Sequence, residues 1–90
     1  MIASGATLRL ERIPLSNIVV SKYDVRFPDT LNGYIDLLIK HPDNEPEPLH
    51  VTPHPKYEGL YQLQNGYHRF MAAIMTGREA VMCIVEEVKV

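Results

Sequence analysis

The chain has 90 residues, 46% of them hydrophobic and 22% charged, with a formal net charge of −2. That length suits one small domain with one modest core and excludes two lobes around a deep cleft, while the slightly acidic balance excludes tight nucleic-acid binding by bulk charge. Cys83 is the sole cysteine and cannot form an internal disulfide; no run approaches the ~20 apolar residues that span a bilayer, and the first residues lack the pattern of a signal peptide, so a cytoplasmic protein with no membrane contact is expected.

Residues 1–6 read as a flexible arm on a single domain spanning 1–90. Leu8 and Leu10 alternate with Arg9 and Glu11 in a short strand whose leucines should face the core, closing at Arg12 and Ile13. Pro14 keeps the apolar stretch to Val20 from being a central strand throughout, and Ser21 to Pro28 reads as a loop that exposes Arg26. A helix begins at Asp29 or Thr30, because Leu31, Tyr34, Ile35 and Leu38 recur at i, i+3, i+4 and i+7. Gly33 inside it costs roughly 1 kcal/mol relative to Ala, so it is either tolerated or needed for a close contact. Pro42, Pro46 and Pro48, interleaved with Asp43, Asn44, Glu45 and Glu47, end the helix in an acidic loop that reads as soluble surface.

Leu49 to Thr52 forms a strand with Leu49 and Val51 inward, Pro53 to Gly59 a turn, and Leu60 to Gln64 a further strand. A second helix from Gly66 should bury Phe70, Ala73 and Ile74 and end at Gly77 as its C′ residue. Ala80 to Val85 is apolar enough for a buried strand, and Glu86 to Val90 alternates back to the surface. The order of elements predicts an α+β (mixed α/β) fold, a small mixed sheet packed by two main helices.

Chemistry concentrates at Gln64-Asn65-Gly66-Tyr67-His68-Arg69, where a strand runs directly into the second helix. Asn65 suits an N-cap and Gly66 allows close approach to the backbone. His68 and Arg69 fall in the first turn, where a cation opposes the helix dipole unless an anion compensates, and an N-terminus of this kind suits phosphate. His68, an imidazole beside an arginine that could hold a phosphate, is the candidate general base. His50 and His54 could approach each other along an extended segment, but zinc takes three or four ligands and neither Cys nor paired carboxylates accompany them, so no metal site is expected. Cys83 reads as a small buried hydrophobe.

From Leu8 to Val88 these features resemble the ParB/sulfiredoxin-like domain family, which includes the N-terminal domain of ParB partition proteins (the "ParB-like nuclease" group), the sulfiredoxins and the free-serine kinases. The resemblance rests on the Leu10 to Val20 segment, Arg26, the helix around Ile35 to Lys40, the Pro-Leu-His-Val strand, and Gly66-Tyr67-His68-Arg69, which looks like the family's Gly-Glu-Arg-Arg or Gly-Cys-His-Arg box. It implies that Asn65, Gly66, Tyr67, His68 and Arg69, with Arg26 closing over them, bind the phosphates of a nucleotide (ATP or CTP, with Mg2+) or of a nucleic acid. Tyr67 stands where sulfiredoxin carries its catalytic Cys, so it is not a true sulfiredoxin and sulfinic acid reduction is not expected. Thr30, Gly33 and Leu37 fall where sulfiredoxin supplies Lys, Ser and Thr, and two of these three cannot hold a phosphate.

Three readings follow. The first is a stand-alone ParB-like domain with a phosphate-bearing ligand and, if catalytic, phosphoryl-transfer or nucleotide hydrolase chemistry through His68. The second is a non-enzymatic DNA-associated or protein-binding adaptor that has lost the nucleotide site and works as a homodimer through an exposed strand or apolar face. The third is a nuclease.

Overall fold

A computed structural model describes residues 6–21, 28–43 and 45–88. In chain order the elements are β1 (Ala6–Pro14), a 3-10 turn (Leu15–Asn17), β2 (Ile18–Val19), α1 (Pro28–Lys40), β3 (Leu49–Pro53), β4 (Tyr61–Asn65), α2 (Tyr67–Met75) and β5 (Ala80–Val88). The fold is α+β, a five-stranded mixed sheet in the order β1-β5-β3-β4-β2 with two helices. β5 runs antiparallel to β1 and parallel to β3, and β4 runs antiparallel to β3 and parallel to β2. Residues 1–5 of the expected arm lie outside the described residues, whereas Ala6 already pairs with Val88.

The apolar run of β5 forms an interior strand of the sheet, between β1 and β3. Val81, Cys83 and Val85 are essentially inaccessible and join Ile13, Leu49, Val51, Phe70 and Ala73 in the principal cluster. Side chains of this size contribute about 1.5–3 kcal/mol each when fully buried. α2 covers this face through Phe70 and Ala73, and α1 packs in turn on α2, with Leu31 and Leu38 around Ala72 and with Tyr34, Ile35 and Met71 beside them. The i, i+3, i+4, i+7 stripe of α1 is therefore the stripe that meets α2. Gly33 has open space around its missing side chain, so it serves no close contact.

Two expected core positions are not core. Leu8 and Leu10 are 46% and 63% exposed, because β1 sets Arg9, Glu11 and Ile13 opposite Val85, Cys83 and Val81 on the helix-covered face, while Leu8 and Leu10 oppose Glu86 and Ile84 on the other. Alternation shows that two faces exist but not which one is covered. Ile74 is likewise exposed at 45%, since the buried arc of α2 is Phe70, Ala72 and Ala73.

The short link from β1 to β2 shapes the whole sheet. Four inter-strand spacings of about 4.8 Å separate its two edges when flat, yet the four residues from Pro14 to Ile18 reach at most about 14 Å. The sheet must curl, bringing its edges together at this end, and the Tyr61 hydroxyl of β4 accordingly donates to the Glu11 carboxylate of β1 across 3.2 Å.

Candidate functional site

β4 delivers the chain to α2 through one residue. Gly66 has φ +102° and acts as the N-cap without any side-chain cap, so Asn65 is the last residue of β4, opposite His50, and not the cap that its type suggests. The positive φ admits glycine readily and other residues only under strain. A Cβ there would also lie 2.7 Å from Leu49 Cδ2 and 3.1 Å from Arg69 Nη2. The space expected for an approaching ligand is thus taken, on that side, by the protein's own leucine and guanidinium.

The first bond of the α2 ladder runs from the Phe70 amide to the Gly66 carbonyl at 2.8 Å, so Tyr67, His68 and Arg69 form the first turn, ahead of the intrahelical ladder. Around them is a shallow depression of about 140 Å³, lined by Asn65 to Arg69 from the turn and by Thr30 and Tyr34 from α1. The Tyr67 and His68 rings meet edge to face with centroids 5.8 Å apart. At its far end α2 closes in a Schellman arrangement, with the Arg78 amide on the Ala73 carbonyl and the Gly77 amide on the Ile74 carbonyl, and Gly77 at φ +79°.

Arg69 does not stand idle in the first turn. Its side chain is only 15% exposed, and Nη1 donates to Glu47 Oε2 at 3.1 Å and to the Pro48 carbonyl at 3.3 Å. The anion that offsets an arginine at the positive end of a helix is accordingly supplied from within the chain. Glu45 plays a similar part for Arg12. The acidic proline-rich loop thus provides counter-ions, beyond keeping the surface soluble.

The structure brings Asn65, Gly66, Tyr67, His68 and Arg69 to one depression and adds Thr30, while Gly33 and Leu37 do not line it. Arg26 lies outside the described residues. Tyr34 and Glu47 are contributors that the sequence reading missed. Tyr34 registers only as part of the apolar stripe of α1. Glu47 could have been found from topology: a β3–β4 antiparallel pair puts the residues just before β3 beside the end of β4, where α2 starts.

Cys83 lies wholly buried in β5, where burial, with the nearby Glu11 carboxylate, pushes its thiol up to about 11. Among the described residues no group of three or more His, Cys, Asp or Glu side chains could hold a metal ion, and no helix is long and apolar enough to cross a membrane. His54 instead organises the β3–β4 turn, its Nδ1 accepting from the amides of Lys56 and Tyr57 at 3.1 and 3.2 Å.

No protein-family model and no curated protein matches the sequence. Solved structures do. The chromosome-partitioning protein ParB of Caulobacter crescentus, in complex with CTP-gamma-S, matches with a TM-score of 0.67 at 22% identity over 90% of this chain and 46% of that one. The same protein has also been solved complexed to the centromeric parS site. Sulfiredoxin from Arabidopsis thaliana matches at 0.66 and 18% identity, over 88% of this chain and 85% of that one. A pNOB8-like ParB N domain matches at 0.73 and 14% identity, over 97% and 33%. The chain spans less than half the length of the ParB chains it matches.

Proposed function

We propose, from the ParB/sulfiredoxin-like fold that this chain has, that the depression at the start of α2 receives the phosphate of a nucleotide or nucleic acid. The observation that carries this reading is the convergence, in one hollow, of Thr30 and Tyr34 of α1 with Asn65 to Arg69 at the start of α2. Backbone N–H groups and the helix dipole favour an anion there by about 0.3–2 kcal/mol, and the Thr30 hydroxyl adds a donor. Arg69 serves as a fixed positive charge behind the turn, held by Glu47 and Pro48. A hollow of about 140 Å³ is less than half the ~300 Å³ at which small-molecule pockets usually begin, so it suits a phosphate group, with the rest of a nucleotide lying outside. Any Mg2+ would arrive on the phosphates of ATP or CTP, and phosphoryl chemistry, if the ligand undergoes it, would use His68.

A second reading is favoured by one observation, the satisfaction of Arg69 by Glu47 and Pro48. On it the turn is a structural joint and the domain is an adaptor that binds DNA or protein by another surface.

Affinity measurements separate the two. ATP, CTP and a short DNA duplex are titrated, each with and without Mg2+, into the wild type, Thr30→Val and Glu47→Gln. Under the phosphate reading Thr30→Val weakens binding, and Glu47→Gln strengthens it about three- to tenfold by releasing the guanidinium toward the ligand. The adaptor reading predicts no phosphate ligand at the turn and no effect of either substitution. DNA binding through so few cations should be weak, with a shallow dependence on salt, because the slope scales with the number of phosphates neutralised.

A further inference from the structure

We propose that two copies of this chain pair through β1, antiparallel and centred on Leu10, to form one continuous ten-stranded sheet. β1 is the terminal strand of the sheet, and among the described residues no further strand pairs with it. Its nine residues, Ala6–Pro14, pair with β5 without a bulge, so its outer side is a long, regular row of backbone groups. Strands of that kind template pairing with another chain.

The direction of each backbone group follows from one bond. The Leu15 amide donates to the Glu79 carbonyl at 2.8 Å, one step beyond the Pro14–Ala80 pair. Backbone groups alternate between the two sides of an antiparallel strand, so Thr7, Arg9, Glu11 and Ile13 bond toward β5 while Ala6, Leu8, Leu10, Arg12 and Pro14 point outward. Pro14 fits this assignment, because the N–H it lacks would have faced away from the sheet.

Charges along an edge strand normally resist pairing, because like meets like. Here the register that overlaps all nine residues escapes that. With the two-fold axis at Leu10, all nine residues overlap, Leu10 faces Leu10 of the second copy, and Arg9 faces Glu11 on both sides of the axis. Leu8 then faces the aliphatic stem of Arg12, whose head group remains with Glu45. Moving the axis to Arg9 or Glu11 sets like charges opposite each other, which is destabilising. The sequence Leu8-Arg9-Leu10-Glu11-Arg12 is in this sense complementary to itself about its midpoint. Arg9 and Glu11 already associate within the strand at 3.4 Å and keep side-chain exposures of 44% and 42%, so both are accessible to a partner strand. The exposed Leu8 and Leu10 on the uncovered face gain cross-strand neighbours. A two-fold axis normal to the sheet leaves the helices of both copies on the same side, and with them the two depressions at the start of α2.

Sedimentation velocity on the full chain, from micromolar to millimolar concentration, tests the proposal. The wild type should show a concentration-dependent monomer–dimer equilibrium, and Leu10→Pro, which removes an outward N–H without touching the β1–β5 ladder, should abolish it. Arg9→Glu should weaken the dimer by at least about tenfold, and Arg9→Glu with Glu11→Arg should restore it, since both pairs then reappear with their signs exchanged. A wild type that stays monomeric throughout, a dimer indifferent to Leu10→Pro, or a double variant that fails to recover would each overturn the proposal. Circular dichroism on every variant identifies any loss of dimer that comes from unfolding, and the charge-exchanged pair then decides the question without Leu10→Pro.

Discussion

Arg69 and Gly66 illustrate how one small turn can be fully explained by its own packing and still be suited to a ligand. An arginine in the first turn of a helix signals an anion, and Glu47 and the Pro48 carbonyl answer that signal internally. Gly66 is required twice over, by its φ of +102° and by Leu49 Cδ2 and Arg69 Nη2, which crowd the position of a Cβ. Gly66→Ala should therefore destabilise the fold by about 2–4 kcal/mol through backbone strain and overpacking, read as a lowered urea midpoint with an unchanged m-value. A loss below about 0.5 kcal/mol, the range of ordinary surface changes, would show that the turn relaxes and that glycine is dispensable.

Among the elements, those read best from sequence are those with a strong period and both boundaries marked. The stripe of α1, Leu31, Tyr34, Ile35 and Leu38, reappears as its contact with α2, and Gly77 closes α2 as its C′ residue. β1 is legible as a strand, but the face its leucines take is not, because the face is chosen by the pairing with β5 and no local feature of β1 encodes that choice. β2 is two residues long and owes its existence to the parallel pairing with Tyr61 and Gln62, a long-range contact that leaves no periodic trace. The depression at α2 is half legible: the box residues are contiguous, whereas Thr30 and Tyr34 reach it, and Glu47 reaches Arg69, only through the tertiary fold. β5 carries a pH prediction. Its Cys83 thiol is raised from the ordinary 9.0 to about 11, chiefly by burial. Below 9.0 the thiol is protonated in folded and unfolded chains alike. As pH rises from 9.0 toward about 11, the unfolded chain releases the proton and the folded one does not, so stability falls. Urea midpoints of the wild type and Cys83→Ala across that window should diverge, the wild type falling faster, and parallel curves would contradict the burial argument.

At the scale of the molecule, α2 lies on one face of the curled sheet with α1 stacked on it, and among the described residues no helix covers the other face and no strand pairs with the outer side of β1. The start of α2 sits where the end of β4, Leu49 of β3, and Thr30 and Tyr34 of α1 come together. This arrangement concentrates the functional account on one turn, and the most direct measurement is a map of 15N–1H chemical shifts as CTP with Mg2+, and separately inorganic phosphate, are added to the wild-type protein. The account predicts saturable shifts at the amides of Tyr67, His68 and Arg69 and at Thr30, common to both ligands. Absence of shifts at these amides, or shifts confined to another surface such as the Pro53 to Tyr61 turn, would contradict it.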